Sequence, residues 1–211
     1  MTAESDRPVP LTAEDIDYKA MALDAGQLGT LVGDRGECVF TWSTREGYPV
    51  GVVVAYVYRD GTFWTTCAGH KKRLRALRAR PKAAVVISKD GHTATFKGDC
   101  VIHGRDDDDW DQLTRWFYPA LAGVDPDSGE AFARGLLRFL DAPHQAIIET
   151  PASLVVSFNS GKFNAAVQAA ITSSLLPHQV EGHEVEVVPS SVELRWRSPL
   201  IIRLLPDPHP G

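Results

Sequence analysis

Two Asp-Gly pairs, Asp60-Gly61 and Asp90-Gly91, each sit between β-branched and aromatic runs. Asp-Gly tolerates the positive φ values of a two-residue turn, so each pair predicts a tight antiparallel hairpin. The first joins Tyr48–Arg59 (YPVGVVVAYVYR) to Thr62–Thr66, and the second joins Lys82–Lys89 to Thr93–His103. Glu37–Ser43 (ECVFTWS) reads as a further strand, closed by Glu46-Gly47. The 48–59 run is nearly continuous in apolar residues, which predicts cover on both faces. Gly98 inside the last strand predicts a bulge or a close backbone approach.

Helical periods surround this β block. Thr12 and Asp15 have capping-box spacing, and Ile16, Ala20 and Leu23 share a face, predicting a helix from Thr12 that ends near Gly26 to Gly29. Asp106–Asp109 precede a helix through Tyr118 with Trp110, Leu113 and Phe117 on one stripe. Glu130–Leu140 reads as another helix, Ala146–Glu149 and Ser153–Phe158 as strands, and Phe163, Val167, Ala170 and Ile171 mark a later helix. Val185–Val188 and Val192–Trp196 alternate as strands. The expected organisation is a loose tail over 1–11, one cofactor-binding domain over 12–163, and an extension over 164–211 packed on that domain.

Between the hairpins lies FWTTCAGHKKRLRALRARPKAAVVIS, residues 63–88. It reads as a strand, a small-residue loop, a basic helix stopped by Pro81, and a strand. Leu74 and Leu77, three apart, face the core, so Lys71, Lys72, Arg75 and Arg78 project elsewhere. A helix start offers unpaired N–H groups and a positive dipole end. Lys71 and Lys72 stand there with the hydroxyls of Thr65 and Thr66, a donor set suited to a phosphate monoester. Ala68 and Gly69 allow close backbone approach. A solvated basic face explains the same residues equally well at this level.

The whole chain has a formal net charge of −5, which argues against a nucleic-acid-coating protein and makes the 70–80 run a local exception. Cys38, Cys67 and Cys100 form no C-x-x-C pair, so a disulfide framework is not expected. With no apolar signal core or spanning segment, the expected location is the cytoplasm, with no membrane partner. Cys67 reads as a small packed residue or a redox-active thiol beside cations. His70 reads as a polar cap or a phosphate contact, and His103 as an exposed strand-end histidine in preference to a haem or metal ligand. The four aspartates at 106–109 read as helix-start electrostatics, and no metal site is expected. No Ser-His-Asp or paired-carboxylate arrangement stands out, so no catalytic acid or base is assigned.

Phe63-Trp64-Thr65-Thr66, then Lys72-Arg73, Leu77 and Pro81 before Ala83–Ile87, resemble the recurrent motif of the pyridoxamine 5′-phosphate oxidase-like split-barrel family. Gly47-Tyr48-Pro49 and Asp60-Gly61 resemble its first hairpins. The resemblance implies a mainly β fold, an antiparallel split barrel with flanking helices, and a homodimer with cofactor sites at the subunit interface. It implies FMN or the deazaflavin coenzyme F420, with haem a lesser alternative. Carried over, Thr65 or Thr66 with Lys72 and Arg73, and Lys71 as an alternate, hold the cofactor phosphate, and the ring lies along Val52–Val54. Arg73 stands where the family usually has lysine. The 50–58 strand lacks the basic residue of the family's oxidases, and their Arg-x-His substrate pair is not evident. The expected activity is therefore hydride transfer to or from a small organic substrate, not pyridoxamine phosphate oxidation. The alternatives are a non-catalytic carrier or sensor of the same coloured ligands, and anion binding through the basic helix.

Overall fold

Both Asp-Gly pairs adopt the left-handed turn expected of them: Asp60 and Gly61 have φ of 52° and 79°, Asp90 and Gly91 of 50° and 77°. The structure, a computed structural model, describes residues 16–175 and the side chains of residues 16–170. In chain order its elements are α1 (Ala25–Val32), β1 (Arg35–Ser43), β2 (Pro49–Arg59), β3 (Thr62–Ala68), α2 (Lys72–Ala79), β4 (Lys82–Lys89), β5 (His92–Asp99) and β6 (Val101–His103). Then follow α3 (Trp110–Ala122), α4 (Ala131–Leu140), β7 (Gln145–Pro151), β8 (Leu154–Asn159) and α5 (Ser160–Leu175). The expected strands Val185–Val188 and Val192–Trp196 lie outside the described residues.

The eight strands form one antiparallel sheet in the order β6-β7-β3-β2-β1-β4-β5-β8, curled into a split barrel. Strand alternation builds the core. Cys38 and Phe40 of β1, Phe63, Thr65 and Cys67 of β3, Val85 and Ile87 of β4, and Ala94 and Phe96 of β5 all point inward and are buried. Leu74 and Leu77 of α2 close this interior. A second cluster lies outside the sheet, where Trp110, Leu113, Phe117 and Tyr118 of α3 cover Val57 and Ile147.

Four expectations need correction. The first helix starts at Ala25, and residues 18–21 form turns. Asp24 and Gln27 form a reciprocal capping box, with bonds of 2.8 and 3.1 Å, and so define a start well beyond the expected one. Thr12 and Asp15 lie outside the described residues. The strand expected over Thr93–His103 is two strands at different places in the sheet: β5 pairs with β4 and β8, whereas β6 pairs with β7. Gly98 sits at that corner, where a Cβ would collide with the Pro151 carbonyl oxygen, so close approach is the reason for the glycine. The helix expected to stop at Tyr118 runs through Pro119 to Ala122, capped by left-handed Gly123. Finally, β2 is covered on one face only over most of its length: Val53 is 67% exposed, because α3 reaches only Val57 on that side.

Candidate functional site

The ladder between β2 and β3 is short. Arg59, Tyr58 and Val57 pair with Thr62, Phe63 and Trp64, and then the strands part. From Tyr56 back to Pro49, β2 pairs only with β1. From Thr65 onward, β3 pairs only with β7. The result is a slot whose two walls are strand edges with backbone donors and acceptors left over from the ladder. Val52 and Val54 lie on the inward side of β2, opposite Phe40 and Cys38 in the register. Thr65 and Cys67 line the inward side of β3.

The loop Gly69-His70-Lys71 carries β3 into α2 at one end of the slot. Gly69 N–H donates to the His144 carbonyl at 2.5 Å, and a Cβ on Gly69 would stand 2.6 Å from that oxygen. Its close approach is therefore to this chain's own backbone, which pins the loop to the start of β7. Lys71 is the N-cap residue of α2, and no side chain caps this helix. The Leu74 N–H donates to the Lys71 carbonyl, which leaves the Lys72 and Arg73 amides as the orphan donors that favour anions. His70, Lys71, Lys72, Arg75 and Arg78 are exposed, as the leucine spacing predicted for the four cations of the helix.

Arg73 goes the other way. Its Nη2 donates to the Thr66 carbonyl at 3.3 Å and its Nε to Cys67 Sγ at 3.3 Å. The guanidinium lies 5.6 Å from the Phe40 ring centre and 5.7 Å from that of Trp42. The two members of the Lys72-Arg73 pair thus face different environments. Cys67 is a buried, hydrogen-bonded thiol. Burial pushes the Cys38 thiol up to about 12, although the Arg73 charge pulls it down, so Cys38 stays protonated at neutral pH.

The paired threonines also split. Thr66 Oγ1 donates to the Ala146 carbonyl at 3.1 Å on the α3 side of the sheet. Thr65 is fully buried on the inward side, and its Oγ1 has no hydrogen-bond partner. An unsatisfied buried hydroxyl costs stability, so its presence beside the slot is a feature to be explained. Beside Thr66 lies the buried Tyr118 phenol, in contact with the Thr66 hydroxyl but without a well-aligned hydrogen bond. Burial pushes it up to about 12. A separate cavity of about 450 Å³ lies between α3 and α4, lined by Arg115, Tyr118 and Arg138 among others.

Sequence reasoning missed Trp42 and Phe40 as a platform for Arg73; an arginine in the first turn of a basic helix offers no sequence mark of where it folds. It also mistook the surroundings of His103. The side chain is 12% exposed, with Nδ1 at 3.0 Å from Asp109 Oδ2 and Nε2 at 2.9 Å from Glu149 Oε2. Among the described residues no helix is long and apolar enough to cross a membrane.

Residues 37–139 match the family described as pyridoxamine 5′-phosphate oxidase. No curated protein matches the sequence. Among solved structures, a conserved hypothetical protein from Mycobacterium tuberculosis superposes with a TM-score of 0.57 at 14% identity, covering 80% of this chain and 99% of that one. A FAD-binding protein from Mesorhizobium loti gives a TM-score of 0.50 at 16% identity, covering 64% of this chain and 94% of that one. At these identities the likeness is one of fold.

Proposed function

Because the chain belongs to the pyridoxamine 5′-phosphate oxidase-like split-barrel family, we propose that it is an oxidoreductase holding a flavin or deazaflavin coenzyme, FMN or coenzyme F420, in the slot between β2 and β3. The observation that carries this reading is the parting of β2 from β3 beside an uncapped helix start bearing Lys71 and Lys72. Unpaired strand edges suit the polar rim of a planar ring, and cations with free amides suit a phosphate. The orphaned Thr65 hydroxyl supports a polar ligand on the same side. Thr65, Lys71 and Lys72 would hold the phosphate, Val52 and Val54 would flank the ring, and Arg73 would set the electrostatics from below; Thr66, turned to the other face, would not reach it. When bound, such a coenzyme supplies hydride transfer to or from a small organic substrate. The chain's part is to orient it and exclude water, which asks for no catalytic acid or base.

We also read the protein as a homodimer. Val53, Val39, Val86, Thr95 and Val156 are consecutive partners in the ladders, forming one row across five strands on the outer face. Three of them, Val53, Val39 and Val156, are exposed in the single chain. A second copy is the occupant the family fold suggests for such a row.

The deciding experiment is the visible absorption spectrum of the purified protein, followed by titration with FMN, coenzyme F420 and haem. A flavin or deazaflavin bound one per chain, and weakened at least tenfold in Lys71→Ala/Lys72→Ala, supports the reading. Affinity unchanged in that variant would remove the assigned anchor. Tight binding with no turnover on any electron donor or acceptor would favour the carrier.

A further inference from the structure

Away from the slot, the tertiary structure brings metal-ligating side chains from two segments to one point. His103 ends β6, its ring packed 6.0 Å from that of Trp64. Glu149 lies on the neighbouring β7, and its Oε2 is 2.9 Å from His103 Nε2. A carboxylate can only accept, so Nε2 carries the proton shared with Glu149. The other ring nitrogen, Nδ1, faces Asp109 Oδ2 at 3.0 Å.

At that separation Nδ1 and Asp109 are joined either by a second ring proton or by a bound cation. A second ring proton would serve Asp109 alone. Asp107 converges on the same place: ligand atoms of His103, Asp107 and Asp109 all lie within 4.8 Å of one another. Asp107 is oriented by the Gly104 N–H, which donates to its Oδ2 at 2.6 Å. No lysine or arginine among the described residues pairs with Asp107 or Asp109. The adjacent Arg105 is committed to Asp141 at 2.6 Å and to the Trp110 ring. An ion with bonds of about 2.1 Å sets neighbouring ligands about 3.0 Å apart, which is the separation of His103 Nδ1 and Asp109 Oδ2.

We infer that His103, Asp107 and Asp109 bind one divalent transition-metal ion, with Glu149 fixing the histidine tautomer from behind. The carboxylate–histidine–metal relay is the usual way such a ligand is oriented. One imidazole nitrogen with carboxylate oxygens suits Mn²⁺, Fe²⁺ or Zn²⁺ and disfavours Mg²⁺ and Ca²⁺. Asp107 is exposed, so the remaining coordination positions open to water. The ion would tie the end of β6 to the start of α3 and neutralise two aspartates that, among the described residues, no lysine or arginine pairs with. This site is independent of the coenzyme reading.

The test uses the full chain without an affinity tag, stripped with EDTA, dialysed, and titrated calorimetrically with MnCl₂, ZnCl₂ or MgCl₂. One Mn²⁺ or Zn²⁺ per chain is expected, with Mg²⁺ far weaker. His103→Gln and Asp107→Asn/Asp109→Asn should abolish that binding, and Glu149→Gln should weaken it by about 10- to 100-fold. Asp106→Asn should bind as the parent does. Thermal unfolding in EDTA establishes that each variant is folded, and added metal should raise the transition only where the three ligands are intact. The inference is overturned if neither transition metal binds one-to-one, if Mg²⁺ binds as well as they do, or if folded ligand variants retain the parent affinity.

Discussion

Arg73 turns its guanidinium back onto β3, where Nη2 meets the Thr66 carbonyl at 3.3 Å. The same side chain donates to Cys67 and lies over Phe40 and Trp42. A cation one residue from two solvent-facing lysines is thereby part of the packing. Arg73→Ala should lower unfolding free energy by about 1–3 kcal/mol, from lost hydrogen bonds and cation–π contacts. Arg73→Lys should recover little of it, since an ammonium cannot reproduce the planar fork. Lys71→Ala/Lys72→Ala should stay within about 0.5 kcal/mol of the parent, being surface changes. Urea unfolding of the three variants separates packing from anchoring; equal losses in all three would reject this division.

Gly98 meets the Pro151 backbone where the chain passes from β5 toward β6. Gly98→Ala must move one strand or the other, at a cost of about 2 kcal/mol or more. Gly47→Ala should cost less: the glycine has a φ of 86°, so strain remains, but no atom lies within 4 Å of an added Cβ. Thermal unfolding of both variants gives the comparison, and a harmless Gly98→Ala would mean the corner is looser than described.

Tyr118, Tyr56 and Cys38 are all pushed up to about 12, chiefly by burial. The unfolded chain releases these protons near the ordinary values of 10.0 for tyrosine and 9.0 for cysteine, before the folded chain does. Between those values and 12 the unfolded state holds fewer protons, so stability falls as pH rises. Well below pH 9, where all three are protonated in both states, these groups should contribute no slope. Tyr118→Phe should flatten the alkaline fall. Denaturant titrations between pH 7 and 11 check the sign.

Val53 and Val156 occupy the outer row proposed to meet a second copy. A carboxylate there would be desolvated in the interface but solvated in a monomer. Val53→Asp and Val156→Asp should therefore dissociate the dimer with little change in the secondary structure of each chain. Sedimentation velocity reads the outcome directly; a parent protein that sediments as a monomer at micromolar concentration would remove the proposal.

Local chemistry was legible from the residues alone. Asp-Gly at 60–61 and 90–91 determined the two hairpins, because a two-residue turn with positive φ needs no information from elsewhere. The leucine spacing of 74 and 77 likewise determined which side of the basic helix faces inward. What the tertiary structure decided involves residues far apart in the chain. Arg73 folds inward because Phe40 and Trp42 happen to lie beneath it. His103 stops being an exposed strand end because β6 leaves β5 and pairs with Glu149's strand, across a separation of 46 residues. The helix start at Ala25 goes with the Asp24–Gln27 capping box and the burial of Met21 and Leu23 just before it. Turn and period signals act over a few bonds, whereas these contacts depend on which strand edges meet after the sheet curls, and that is set by the packing of the whole core.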